Sequence, residues 1–199
     1  MNDEPGPCQL EVAISLQDAA WGEELEDLED MAQRSIETAL RCLREAAPDR
    51  AVQGAVEVSL LFADDAAVAE LNAAYRGRQG PTNVLSFPNM EQPGPNMKQV
   101  GAPVGQPRLL GDVVLARQTV LREATAQGKS PAAHTTHLLV HGLLHLLGYD
   151  HEGESEAAEM EALETAILAE LGLPDPYAEV SAGIGSAAPH AGGELAEGR

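Results

Sequence analysis

The sequence predicts an α+β domain, a small four-stranded mixed sheet packed with helices. Three observations lead there. Four short segments read as strands, QLEVAISL with period-two alternation among them, and apolar residues recur at helical spacing in longer ones. The segments follow the order β-α-β-α-β-β-α-α-α, which departs from a regular βαβ alternation by ending in a run of helices. A chain of 199 residues with 44% hydrophobic content suits one core, so residues 1–175 are expected to form a single domain.

QLEVAISL, residues 9–16, places Leu10, Val12, Ile14 and Leu16 on one face and reads as a half-buried strand. Residues 23–46 read as one long amphipathic helix, with Leu25, Leu28, Met31, Ala32, Ile36, Ala39, Leu40 and Leu43 at helical spacing. Its outer face is acidic early and basic late (Arg34, Arg41, Arg44), which complements the helix dipole. VEVSLLFA, residues 56–63, is a second strand, and Asp64 and Asp65 cap and open the helix that follows. That helix runs to about Tyr75 and is expected to bury Val68, Leu71 and, at its end, Tyr75. Arg76 and Arg78 come next, where cations suit a helix C-terminus.

Asn83 to Phe87 is a short strand ending at Pro88. Residues 89–107 are rich in Pro, Gly, Gln and Asn without hydrophobic period, the composition of a flexible or functional loop, here expected near the rim of a site. Leu109 to Ala116 is a strand in which Asp112 stands out as a carboxylate that could orient a histidine or cap a turn. Arg117 to Gln127 is a helix ended by Gly128. Glu154 to Leu171 is a closing amphipathic helix with Met160, Leu163, Ala166, Ile167 and Leu171 on one face. Residues 176–199 read as a disordered acidic, Gly/Ala-rich tail.

The net charge of −20 argues against nucleic acid as a partner, yet its distribution is uneven. Residues 76–129 carry seven cations (Arg76, Arg78, Lys98, Arg108, Arg117, Arg122, Lys129) against three anions (Glu91, Asp112, Glu123), a local balance of +4. The start, MNDEPGPCQ, lacks the features of a signal peptide, and no stretch has 18 uninterrupted apolar residues, so no membrane partner is expected. Cys8 and Cys42 are far apart and read as free thiols, which suits a cytoplasmic location.

The stretch with chemistry is Ser130 to His151, SPAAHTTHLLVHGLLHLLGYDH, which holds five of the six histidines. Ser130 is a helix cap, Pro131 suits the first turn and Gly148 ends the helix, giving a helix over 131–147 of roughly 25 Å. At about 100° per residue, His134, His137, His141 and His145 share one stripe of an otherwise apolar helix. His141 and His145 are one turn apart and can reach one ion, and Gly148 lets the chain turn back so that His151 approaches the same point. Three imidazoles with an open fourth position suit a catalytic zinc rather than a structural one. His137 lies roughly 12 Å along the axis from His145, so it and His134 are expected to support the ligands, face a substrate or simply be polar residues near the helix start, rather than bind the ion. Asp150 either orients His151 or makes a local Asx bond.

The spacing of the three histidines is also that of the metzincin proteases, whose general-base Glu follows the first His. Here that position is Gly142, which disfavours peptide hydrolysis. A mid-helix glycine costs about 1 kcal/mol relative to Ala and calls for close approach of substrate or backbone.

HGLLHLLGYDH, residues 141–151, resembles the HGxLHLxGYDH signature of the YbeY family, bacterial endoribonucleases of ribosomal RNA maturation. PTNVLSFP, residues 81–88, and LLGDVVLA, residues 109–116, resemble the family's other two motifs in the same order, and the likeness extends over about residues 8–175. The resemblance implies one zinc ion on His141, His145 and His151, with His141 and Arg76 in the catalytic set. It also implies single-stranded RNA as substrate, maturation of the 16S rRNA 3′ end, ribosome quality control, and the small ribosomal subunit or its assembly factors as partners. Two other readings fit the residues: a non-catalytic ribosome-assembly factor with a zinc-stabilised fold, and a zinc hydrolase of another substrate class.

Overall fold

A computed structural model describes residues 9–48, 52, 54–89, 107–151 and 153–178. Nearly all of the predicted loop, the predicted tail beyond residue 178, and Cys8 and Lys98 lie outside the described residues. Along the chain the elements are β1 (Leu10–Leu16), α1 (Trp21–Glu24), α2 (Leu28–Ala46), β2 (Val56–Ala63), α3 (Asp65–Arg76), β3 (Val84–Pro88), β4 (Arg108–Ala116), α4 (Arg117–Ala126), α5 (Pro131–Leu146) and α6 (Glu154–Glu170). The sheet order is β1-β2-β4-β3, with β1, β2 and β4 parallel and β3 antiparallel on the edge. The mixed four-stranded sheet and the run of three closing helices agree with the expected class.

Period-two alternation gives the sheet two apolar faces. Val58, Leu60, Phe62, Val113 and Leu115 lie in the large core shared with α2, α5 and α6, and Ala63, Leu85, Val114 and Ala116 pack with Val68 of α3. The histidine helix and α3 therefore sit on opposite sides of the sheet. On the edge strand β1, Leu10, Val12 and Ile14 are partly buried against this core, while Leu16 at the strand's end is 43% exposed.

One expected helix is two. The break falls at Leu25, whose backbone is extended (φ −133°, ψ 99°), so the reading of 23–46 as continuous does not hold. Its cause is Trp21, which is fully buried, meets Phe62 edge to face at 5.2 Å and donates its indole N–H to the Ala63 carbonyl at 3.0 Å. That anchor holds α1 at the end of β2. Tyr75, expected inside, is 71% exposed and leans on Phe87 with ring centroids 5.2 Å apart.

Two glycines allow close packing. At Gly111 (φ +132°) a Cβ would lie 2.2 Å from the Phe87 carbonyl oxygen, so no side chain fits where β4 bulges against β2 and pairs with β3. At Gly142 a Cβ would lie 2.7 Å from Val113 Cγ1 and 3.3 Å from Ser86 Oγ. The mid-helix glycine thus serves to seat α5 on β3 and β4, and the partner that comes close is the sheet.

Candidate metal centre

Helix α5 begins as its sequence dictates, with the Ser130 hydroxyl accepting from the Ala133 N–H at 3.1 Å and Pro131 in the first turn. It ends in a Schellman turn: Gly148 is left-handed (φ +83°), its N–H meets the His145 carbonyl at 3.0 Å, and the Tyr149 N–H meets the Leu144 carbonyl at 3.0 Å. This reversal carries Asp150 and His151 back toward the last helical turn.

The Nε2 atoms of His141 and His145 face each other at 3.1 Å. The His151 ring lies 5.1 Å from that of His145 and 5.8 Å from that of His141, centroid to centroid. Potential ligand atoms of His145, Asp150 and His151 fall within 4.8 Å of one another, and His141 joins them through its contact with His145. Burial, then the neighbouring His141 and His151, pushes His145 down to about 4, so its imidazole is neutral at physiological pH. Neutral imidazole is the form that coordinates a metal.

Asp150 is engaged with His151 twice. Its Oδ1 accepts from the His151 backbone N–H at 2.7 Å, a bond to the next residue, and also meets the His151 Nδ1 at 3.1 Å, as expected of a group that orients His151. These bonds, the backbone one first, hold its carboxyl below the usual range.

The other two stripe histidines are held by carboxylates. His134 Nε2 meets Glu123 Oε2 at 3.0 Å, and Asn83 donates to the same oxygen at 2.9 Å. The Asn83 Oδ1 also accepts from the Val84 N–H at 2.7 Å, while its backbone carbonyl accepts from Ala116 at 3.0 Å. The PTNVLSFP stretch is thereby tied to β4, α4 and α5 at one end of the sheet. His137 Nε2 meets Glu164 Oε2 at 2.9 Å.

Glu164 was not singled out by the sequence reading. It is fully buried on α6, with Oε1 2.8 Å from His141 Nδ1 and Oε2 shared by His137 Nε2 and the Tyr177 hydroxyl. Burial pushes its carboxyl up, but the hydrogen bonds from His137, His141 and Tyr177 outweigh that and hold it at about 2. Burial and the bond to Glu164 push the Tyr177 hydroxyl well above the usual phenol range. A signal was present in the sequence: Glu164 occupies the core-facing stripe of α6 with Met160, Ile167 and Leu168.

Asp112 does not orient a histidine. It is exposed, pairs in register with Ser59 and Phe87, and lines an open groove with Ser15, Leu71 and Tyr75 on the sheet face away from α5. Arg76 is the last residue of α3, exposed, and in no ion pair among the described residues. It follows Tyr75, which touches Phe87, while the adjacent Ser86 lies under Gly142. Edge strand β3 therefore separates the last turn of α3 from the histidine helix. Of the other cations, Arg117 is spent on Asp18 at 2.6 Å, Arg122 meets Asp65 at 3.7 Å and Lys129 reaches the Pro176 carbonyl at 3.4 Å. Arg76 and Arg78 stay exposed.

Fold and cluster together define an α+β protein with a histidine-rich candidate metal centre on one helix and the turn that follows it. The chain belongs to the YbeY family: residues 22–172 match the family model described as Endoribonuclease YbeY. It is 48% identical over 172 residues to the endoribonuclease YbeY of Paramagnetospirillum magneticum, covering 85% of this chain and 97% of that one. It is 47% identical to that of Rhizobium johnstonii, covering 85% and 94%, and 58% identical to that of Magnetococcus marinus, covering 61% and 83%. A Thermotoga maritima protein of known solution structure aligns with a TM-score of 0.47 at 21% identity, covering 80% of this chain and 91% of that one.

Proposed function

We propose that this chain is a zinc-dependent endoribonuclease that cuts single-stranded RNA, with His141, His145 and His151 holding one zinc ion. As a YbeY-family member it is a hydrolase acting on RNA. We further propose that it acts in rRNA processing at the 3′ end of 16S rRNA and in ribosome quality control, in the cytoplasm, with the small subunit or its assembly factors as partners. Among the described residues no helix is long and apolar enough to cross a membrane.

The observation that carries the metal assignment is the 3.1 Å approach of two ring nitrogens on imidazoles one turn apart. Two tetrahedral ligands of one zinc, each about 2.0–2.1 Å from it, would be about 3.3 Å apart, so the donor set fits. Asp150 lies close enough to share the ion or to orient His151. When bound, zinc would supply Lewis acidity at a phosphate oxygen of the RNA.

The chain's own groups do the rest. The planar Arg76 fork matches two phosphate oxygens, and its freedom from ion pairs among the described residues leaves it available to stabilise charge that develops on the phosphate. The residue after His141 is Gly142, packed on Val113, so α5 carries no carboxylate base at that position. The nucleophile is then a water or the RNA's own 2′-hydroxyl.

The test is cleavage of a labelled single-stranded RNA by zinc-loaded protein, beside His145→Ala and Arg76→Ala, with zinc content measured for each. Cleavage by the parent alone, with zinc lost from His145→Ala and retained by Arg76→Ala, supports the assignment. RNA binding without cleavage by the parent overturns it in favour of an assembly factor.

A further inference from the structure

Buried on the core stripe of α6, Glu164 occupies a position where a leucine would pack against α5 without desolvating a charge. The carboxylate meets three groups there: His141 Nδ1 at 2.8 Å, His137 Nε2 at 2.9 Å and the Tyr177 hydroxyl. His137 and His141 are one turn apart on α5, so a single carboxylate spans both rings.

An ionised carboxylate has only acceptors, so each ring nitrogen facing it must carry its proton. A proton on His141 Nδ1 leaves Nε2 as a bare lone pair, and Nε2 is the atom that faces His145 at 3.1 Å. On His137 the same logic places the proton on Nε2 and leaves Nδ1 bare, and that atom is buried without a hydrogen-bond partner among the described residues.

We propose that Glu164 is the positioning residue of the centre, fixing the tautomer and ring orientation of His141, and that Tyr177 in turn fixes Glu164. Tyr177 comes from the turn beyond α6. Its backbone N–H donates to Asp175 Oδ1 at 2.9 Å, and Lys129 reaches the neighbouring Pro176 carbonyl at 3.4 Å. This last described turn thus completes the site from the α6 side. The inference rests on His141 being a metal ligand. Carboxylates in this role change metal affinity without touching the ion.

Two measurements test it. In metal-free, histidine-labelled protein, long-range proton–nitrogen NMR should show His141 protonated at Nδ1 and bare at Nε2. In chelator-buffered zinc titrations, Glu164→Gln should weaken zinc binding about 10–100-fold, Glu164→Asp should recover part of that loss, and Tyr177→Phe should cost less than about tenfold. Circular dichroism of the metal-free variants shows whether they fold. A His141 protonated at Nε2, or a folded Glu164→Gln that binds zinc within about twofold of the parent, overturns the proposal. If the parent takes up no zinc, the metal assignment falls, and the tautomer still decides the role of Glu164. Should Glu164→Gln fail to fold, Tyr177→Phe and the tautomer decide it.

Discussion

Gly142 is the residue that separates this helix from a protease helix of the same histidine spacing, and its replacement by alanine has a calculable outcome. The new methyl would sit 2.7 Å from Val113 Cγ1, about 1 Å inside the usual carbon–carbon contact. Val113 is fully buried, pairs with Leu60 and Ser86 on either side, and is stiff at χ1, so it cannot swing away. Overpacking of this kind costs about 1–3 kcal/mol, and the better helix propensity of alanine offsets about 1 kcal/mol of it. Gly142→Ala should therefore lose about 1 kcal/mol and melt about 2–4 °C lower.

A double-mutant cycle identifies the cause. Val113→Ala alone removes two buried methyl groups and should cost about 2 kcal/mol, including the cavity. In that background the methyl added by Gly142→Ala fills the space, so the pair should be at least about 1 kcal/mol more stable than the sum of the single changes. Urea unfolding followed by the fluorescence of Trp21, the single tryptophan and fully buried, reports all four proteins. If Gly142→Ala instead stabilises by about the bare propensity difference, and its effect is unchanged in the Val113→Ala protein, the close approach of α5 to the sheet is not why glycine stands there.

Chelation should abolish RNA cleavage while the far-ultraviolet dichroism persists, because the core around Phe62, Leu139, Leu143 and Leu144 is closed without an ion; unfolding on chelation would favour the zinc-stabilised assembly factor. Arg76→Ala should leave stability within about 0.5 kcal/mol of the parent while RNA cleavage falls, since the side chain is exposed and unpaired among the described residues; unchanged cleavage would remove Arg76 from the catalytic set. The Asp18 carboxyl is held below its ordinary value of 3.8, chiefly by the hydrogen bond from Arg117. A depressed folded-state value means stability that is present above 3.8 and lost as pH falls through the folded value, so Asp18→Asn should flatten the acid limb of a stability–pH curve. A curve unchanged by that substitution would mean that the pair contributes nothing.

The sequence by itself determined the parts of this protein that depend on neighbours along the chain. Period-two and helical spacing set the four strands and most of the helices, and the Ser130 cap, Pro131 and Gly148 set the ends of α5. The single turn between His141 and His145 was enough to put both side chains on one face within reach of one ion, because helix geometry fixes their backbone separation wherever the helix lies. Tertiary structure decided what depends on contacts across the fold. The break at Leu25 follows from Trp21 finding the Ala63 carbonyl 42 residues away. Gly142 acquires its reason only from Val113 and Ser86 on two other strands, and Asp112 faces away from α5 because the pleat places it there. The α6 stripe marks Glu164 as core-facing, but only the packing of α6 on α5 decides that its carboxylate satisfies itself on His137, His141 and Tyr177. Ligand spacing is a local property of a helix, whereas the groups that orient the ligands are brought in by packing.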